Sequence, residues 1–81
     1  MRLPRDMSGL SLARALAAFG YKVTRQSGSH MRLTTSANGE HRVTIPRHDS
    51  LRVGTLSGVL KDVSEHLGIP REELASRLFP E

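Results

Sequence analysis

The chain has no cysteine and no tryptophan, and its only aromatic residues are Phe19, Tyr21 and Phe79. Without thiols, neither a disulfide framework nor a thiolate metal cage contributes to stability, and a cytoplasmic location is expected. No apolar run approaches the roughly 18 residues that a membrane span needs. The opening Met1-Arg2-Leu3-Pro4-Arg5-Asp6 has no apolar signal core, so neither membrane insertion nor secretion is expected. The four histidines show no HxxxH or comparable ligand spacing and no carboxylates cluster with them, so no metal and no other cofactor is expected. With 81 residues the chain reads as one domain over 1–81, too small for a second module or a deep cofactor pocket. Any site is then a surface or a shallow groove.

What the chain does have is positive charge in the wrong half to be neutral. Through residue 54, nine basic residues face three acidic ones, giving +6, whereas the rest carries three against five, giving −2. The first part is where a polyanion would bind, unless it is simply a solvated basic surface.

The periodicity predicts an α+β domain. Ser8 is placed to cap a helix with the stripe Leu12, Leu16 and Phe19, ending at Gly20. Segments 21–25, 30–35 and 41–45 alternate polar and apolar, as half-buried strands do, and Pro46 ends the last. Thr55 is placed to cap a second helix with Leu56, Val59, Leu60, Val63 and Leu67 on one side, stopping at Gly68. Gly58 inside it either costs about 1 kcal/mol or marks a close packing contact. Pro70 starts a short third helix containing Leu74 and Leu78.

Strand register assigns the faces. Apolar faces align only if Gln26-Ser27-Gly28 and Ala37-Asn38-Gly39 are three-residue loops, each ending in a left-handed glycine. The expected pairs are then Lys22 with Arg32, Thr24 with His30, Arg32 with Thr44, and Thr34 with Arg42. Both helices cover the face of Tyr21, Val23, Met31, Leu33, Val43 and Ile45. The other face stays open and basic, with Lys22 opposite Arg32, a like-charge pair that either splays into solvent or holds an anion.

His30 lies beside that pair, and His48, two residues after Pro46, can return toward it. A phosphodiester is cleaved without metal if one group takes the proton of the ribose 2′-hydroxyl, another protonates the leaving 5′-oxygen, and cations offset the charge at phosphorus. Histidine suits both transfers near neutral pH. A strand histidine taken alone is more often a surface residue. His41 beside a turn and His66 on the outer side of the second helix are weaker candidates.

Taken in order, Ser8-Gly9, Phe19-Gly20-Tyr21, Gly28-Ser29-His30, Val43-Thr44-Ile45-Pro46-Arg47-His48, Gly54-Thr55-Leu56 and Val59-Leu60-Lys61 resemble the HicA family of bacterial toxins across nearly the whole chain. The resemblance implies a fold like the double-stranded RNA-binding domain and an mRNA interferase held inactive by a HicB-type antitoxin. It implies that His30 is the catalytic residue, with His48 matching the Pro-x-His histidine. The chain differs from the family's usual pattern at Ser57-Gly58 and in its acidic C-terminal segment. The expected site is therefore His30, with His48 and Ser29 in support and Lys22, Arg32, Arg42 and the Gly28 turn holding RNA phosphate. Two further readings use the same face: a non-catalytic RNA-binding module, and a surface serving mainly to dock a protein. The scarcity of aromatics predicts recognition through phosphates and 2′-hydroxyls, with little sequence selectivity.

Overall fold

The structure, a computed structural model, describes residues 3–80. Helix α1 spans Gly9–Leu16, and the expected cap is present: Ser8 is extended and its Oγ accepts the Ser11 N–H at 3.0 Å. The last turn tightens into a 3₁₀ turn over Ala17–Phe19, leaving Phe19 half-buried at the rim of the core. Strands β1 (Lys22–Ser27), β2 (His30–Thr35) and β3 (His41–Pro46) form an antiparallel sheet in the order β1-β2-β3.

Helix α2 runs over Val53–Leu67 and begins two residues before the expected Thr55 cap. The reason lies just upstream. Leu51 is buried and its N–H donates to the Met7 carbonyl at 2.7 Å, which brings the chain to the sheet early. Arg52 then takes the N-cap position, extended and without a side-chain cap. Helix α3 spans Arg71–Leu78, with Pro70 in the cap position, one residue before the helix proper. Gly58 makes no packing contact, since a Cβ there meets nothing within 4 Å.

The β2/β3 register is the expected one, with Arg32 opposite Thr44, Leu33 opposite Val43 and Thr34 opposite Arg42. The β1/β2 register differs. Lys22 pairs with Thr34, Val23 with Leu33, Arg25 with Arg32 and Ser27 with His30. The loop is the two-residue Gly28-Ser29, with φ of 58° at Gly28, the backbone a two-residue hairpin turn requires at its first central position. A two-residue loop alone would put Val23 opposite Thr34 and the apolar faces out of phase. The structure restores the phase inside the strand, by a bulge between Val23 and Arg25.

Tyr21, Met31, Leu33, Val43 and Ile45 form the buried sheet face, covered by Leu12 and Leu16 of α1 and Leu56, Leu60 and Val63 of α2; Leu74 and Leu78 of α3 close the core. Each such side chain contributes about 1.5–3 kcal/mol by leaving water. Val23, expected in this core, is 47% exposed, and all six residues of β1 are exposed, whereas the other edge strand, β3, buries Val43 and Ile45. Helix, three-stranded meander and helix in this order, with both helices on one face, is a fold like the double-stranded RNA-binding domain, extended by the short α3.

The start of α1 is fastened to the end of β3. The Gly9 N–H donates to the His48 carbonyl at 2.9 Å, and a Cβ on Gly9 would lie 2.0 Å from the Pro46 carbonyl oxygen. That neighbour is backbone and cannot swing away. Gly9→Ala is expected to lower stability by about 1–3 kcal/mol, the range for overpacking. An unchanged urea midpoint would show that this contact is not tight.

Candidate functional site

Three rows of side chains cross the open sheet face. The first holds Ser27, His30 and Pro46, the second Arg25, Arg32 and Thr44, and the third Lys22, Thr34 and Arg42. Successive rows are about 7 Å apart, the repeat of two residues along a strand.

The first two rows line a shallow depression of about 280 Å³ formed by Arg25, Ser27, His30, Arg32 and Thr44. Its polar groups are an imidazole, two guanidiniums and two hydroxyls. Among the described residues, the His30 side chain makes no hydrogen bond, and neither Arg25 nor Arg32 makes an ion pair. No side chain among the described residues competes for these groups. The like-charge pair expected across β1 and β2 therefore exists, but it is Arg25 with Arg32, and His30 faces Ser27 in place of Thr24.

Lys22, expected beside His30, lies two rows away. It lines a second depression of about 230 Å³ with Thr24, Thr34 and Glu40 among its neighbours. There Thr24 Oγ1 and Thr34 Oγ1 are 2.8 Å apart, and Arg42 donates through Nη2 to Glu40 Oε2 at 2.8 Å. Arg42 is thus not a free cation. Of the phosphate-binding set named from the sequence, Arg32 adjoins His30 and Gly28 shapes the adjoining turn, while Lys22 and Arg42 form a separate group.

Ser29 and His48 are both exposed. The Ser29 carbonyl accepts the Arg47 N–H, which ties the hairpin tip to the segment after β3 and continues the ladder beyond the His30-Pro46 pair. His48 is fixed through its carbonyl to Gly9, and its imidazole has no hydrogen-bond partner among the described residues. No hydrogen bond or ring contact joins it to His30.

The other two histidines have structural partners. Tyr21 Oη lies 2.8 Å from His41 Nδ1, and His41 Nε2 lies 3.3 Å from Asp62 Oδ1. Burial, aided by the nearby Asp62 charge, pushes the Tyr21 hydroxyl up to about 12, so it stays protonated and can donate to His41. His41 stacks on His66 with ring centroids 4.3 Å apart. His66 does not simply face outward: its Nε2 lies 2.8 Å from the Ala37 carbonyl and 3.0 Å from that of Gly39, docking α2 on the β2–β3 turn. Among the described residues, no three His, Asp or Glu side chains form a group that could hold a metal ion. No described helix is long and apolar enough to cross a membrane.

Arg25 is the residue that the sequence reading missed. The signal for it was Gly28-Ser29 itself, since Gly followed by Ser between two strands favours a two-residue loop, which places Arg25 opposite Arg32.

In comparison with known families, a family model described as HicA toxin of bacterial toxin-antitoxin matches residues 11–64, more than half of the chain, including the whole sheet. Comparison with curated proteins and with solved structures gives no match.

Proposed function

The chain belongs to the HicA family of bacterial toxin-antitoxin toxins, and from that premise we propose that it is an RNA endonuclease whose reacting phosphodiester sits in the depression of His30, Arg25 and Arg32. The observation that carries this reading is an imidazole beside two guanidiniums on an open sheet face, none of them with a side-chain partner among the described residues. In the proposed reaction the ribose 2′-oxygen attacks phosphorus and the bond to the 5′-oxygen breaks, leaving a 2′,3′-cyclic phosphate and a 5′-hydroxyl. His30 takes the 2′-hydroxyl proton or supplies one to the departing oxygen. Arg25 and Arg32 offset the charge that grows on the phosphoryl oxygens, a contribution that needs donors already in place. His48 is the proposed partner for the second proton transfer, and Ser29 with the Gly28 turn orients the phosphate.

A toxin of this kind implies an antitoxin. We propose a HicB-type protein that neutralises it, mRNA as the substrate and the cytoplasm as the place of action. Phe19, Tyr21 and Phe79 are half-buried or buried, and none belongs to the open face, which supports recognition by phosphate and 2′-hydroxyl over base stacking.

Incubating the purified protein with RNA in EDTA tests the proposal. Cleavage that persists without divalent cations is the expected result. Binding without cleavage would replace the nuclease with a non-catalytic RNA-binding module on the same face.

A further inference from the structure

The second depression differs from the first in kind. The first is lined by an imidazole, two guanidiniums and two hydroxyls and by no carboxylate, whereas the second sets Lys22 beside a carboxylate, Glu40, and two hydroxyls, Thr24 and Thr34. Glu40 is paired with Arg42, and its oxygens can only accept, so a bare phosphate finds no donor there. A ribose phosphate unit fits both sides of the depression, because it brings an anion for Lys22 and a hydroxyl donor for the carboxylate. The Thr24-Thr34 hydrogen bond adds further acceptor lone pairs in the floor of the depression. Its Thr34 row lies about 7 Å along β2 from the Arg32 row, on the same face. That separation suits the next nucleotide of an extended strand.

We propose that Lys22, Thr24, Thr34 and Glu40 form a subsite for the ribose phosphate adjoining the cleaved one, so that the RNA strand runs along β2 from His30 toward Thr34. The proposal rests on the nuclease reading for what happens at His30. The subsite itself requires only that RNA lie on this face. Lys22 holds the flanking phosphate and Glu40 accepts from the flanking 2′-hydroxyl while keeping Arg42 in place. The same contacts distinguish RNA from DNA at a position where no bond is broken.

Two measurements test it. In the first, a dinucleoside monophosphate and trinucleotides extended on either side are offered as substrates. Extension on one side is expected to raise kcat/KM roughly tenfold, the size of one charge-assisted contact, and Lys22→Ala is expected to cost the extended substrate about tenfold more than the short one. Equal losses on both, or no gain from either extension, would overturn the subsite. In the second, binding of a short uridine oligonucleotide is compared with that of its 2′-deoxy counterpart. Tighter binding of RNA, weakened by Lys22→Ala and brought level with DNA by Glu40→Gln, supports the subsite. Equal binding of the two by the unmodified protein would overturn it. If no substrate is cleaved, the nuclease reading fails while the binding comparison still decides the subsite.

Discussion

Replacing His30 with alanine is expected to lower RNA cleavage by about 10²–10⁴-fold, the usual contribution of a positioned general acid or base. The fold should not change. His30 is exposed, makes no side-chain hydrogen bond among the described residues and sits at the first position of β2, so little packing is lost. Thermal unfolding of the purified variant, measured beside its cleavage rate, separates the two effects. A folded variant that cleaves as fast as the parent would remove His30 from the chemistry, and growth arrest on induction provides the same comparison in cells.

The second large effect is expected at Arg25 and Arg32. Removing either guanidinium should lower kcat/KM on a single phosphodiester by about 10–100-fold, the equivalent of one charge-assisted hydrogen bond of 1.5–3 kcal/mol. Each alanine should also raise stability by some tenths of a kcal/mol, because the two cations face each other directly across the strands. Loss of activity with a small gain in stability is a pattern that damage to the fold cannot produce. The experiment also tests the register. If Lys22→Ala impaired cleavage of the short substrate as severely as Arg25→Ala, the bulge would not govern which cation meets the reacting phosphate. A single measured pair of variants does not partition the effect between the two arginines, since groups that share one phosphate are not additive.

The difference between Lys22 and Arg25 shows what was legible in the chain. Alternation along Met31-Arg32-Leu33 and Val43-Thr44-Ile45 defines two faces, and the five-residue connection at 36–40 preserves the phase, so β2 and β3 pair as expected. The apolar stripes of α1 and α2 require that same face, which fixes the architecture. Parity alone does not distinguish a three-residue loop from a two-residue loop with a bulge, since both keep Tyr21 and Val23 on the helix side. They differ by two residues in register beyond the bulge and by three between the bulge and the turn, and that exchanges Lys22 for Arg25 opposite Arg32. The placement of His30 survives the change because it follows the turn directly and lies on the open face in either register. Thr55 fails as a cap for a tertiary reason: the Leu51 anchor to Met7 is a contact between residues far apart in the chain, and local capping rules contain no information about it.

The histidines divide in the same way. Spacing gave no ground to pair His41 with His66, yet the hairpin turn and the C-terminal half of α2 meet there, joined also by Asn38 Nδ2 donating to the His66 carbonyl at 2.7 Å. These rings secure the hairpin to the helix layer. The imidazoles of His30 and His48 have no hydrogen-bond partner among the described residues, and these are the two histidines that the proposed reaction uses.

The account turns on a reaction in which the RNA's own 2′-hydroxyl attacks and a protein imidazole moves the proton. The most direct measurement is the chemical nature of the ends produced when the purified protein cleaves a defined oligoribonucleotide in EDTA. The account predicts a 2′,3′-cyclic phosphate and a 5′-hydroxyl. A 3′-hydroxyl with a 5′-phosphate, the ends left by attack of water from the other side, would contradict it.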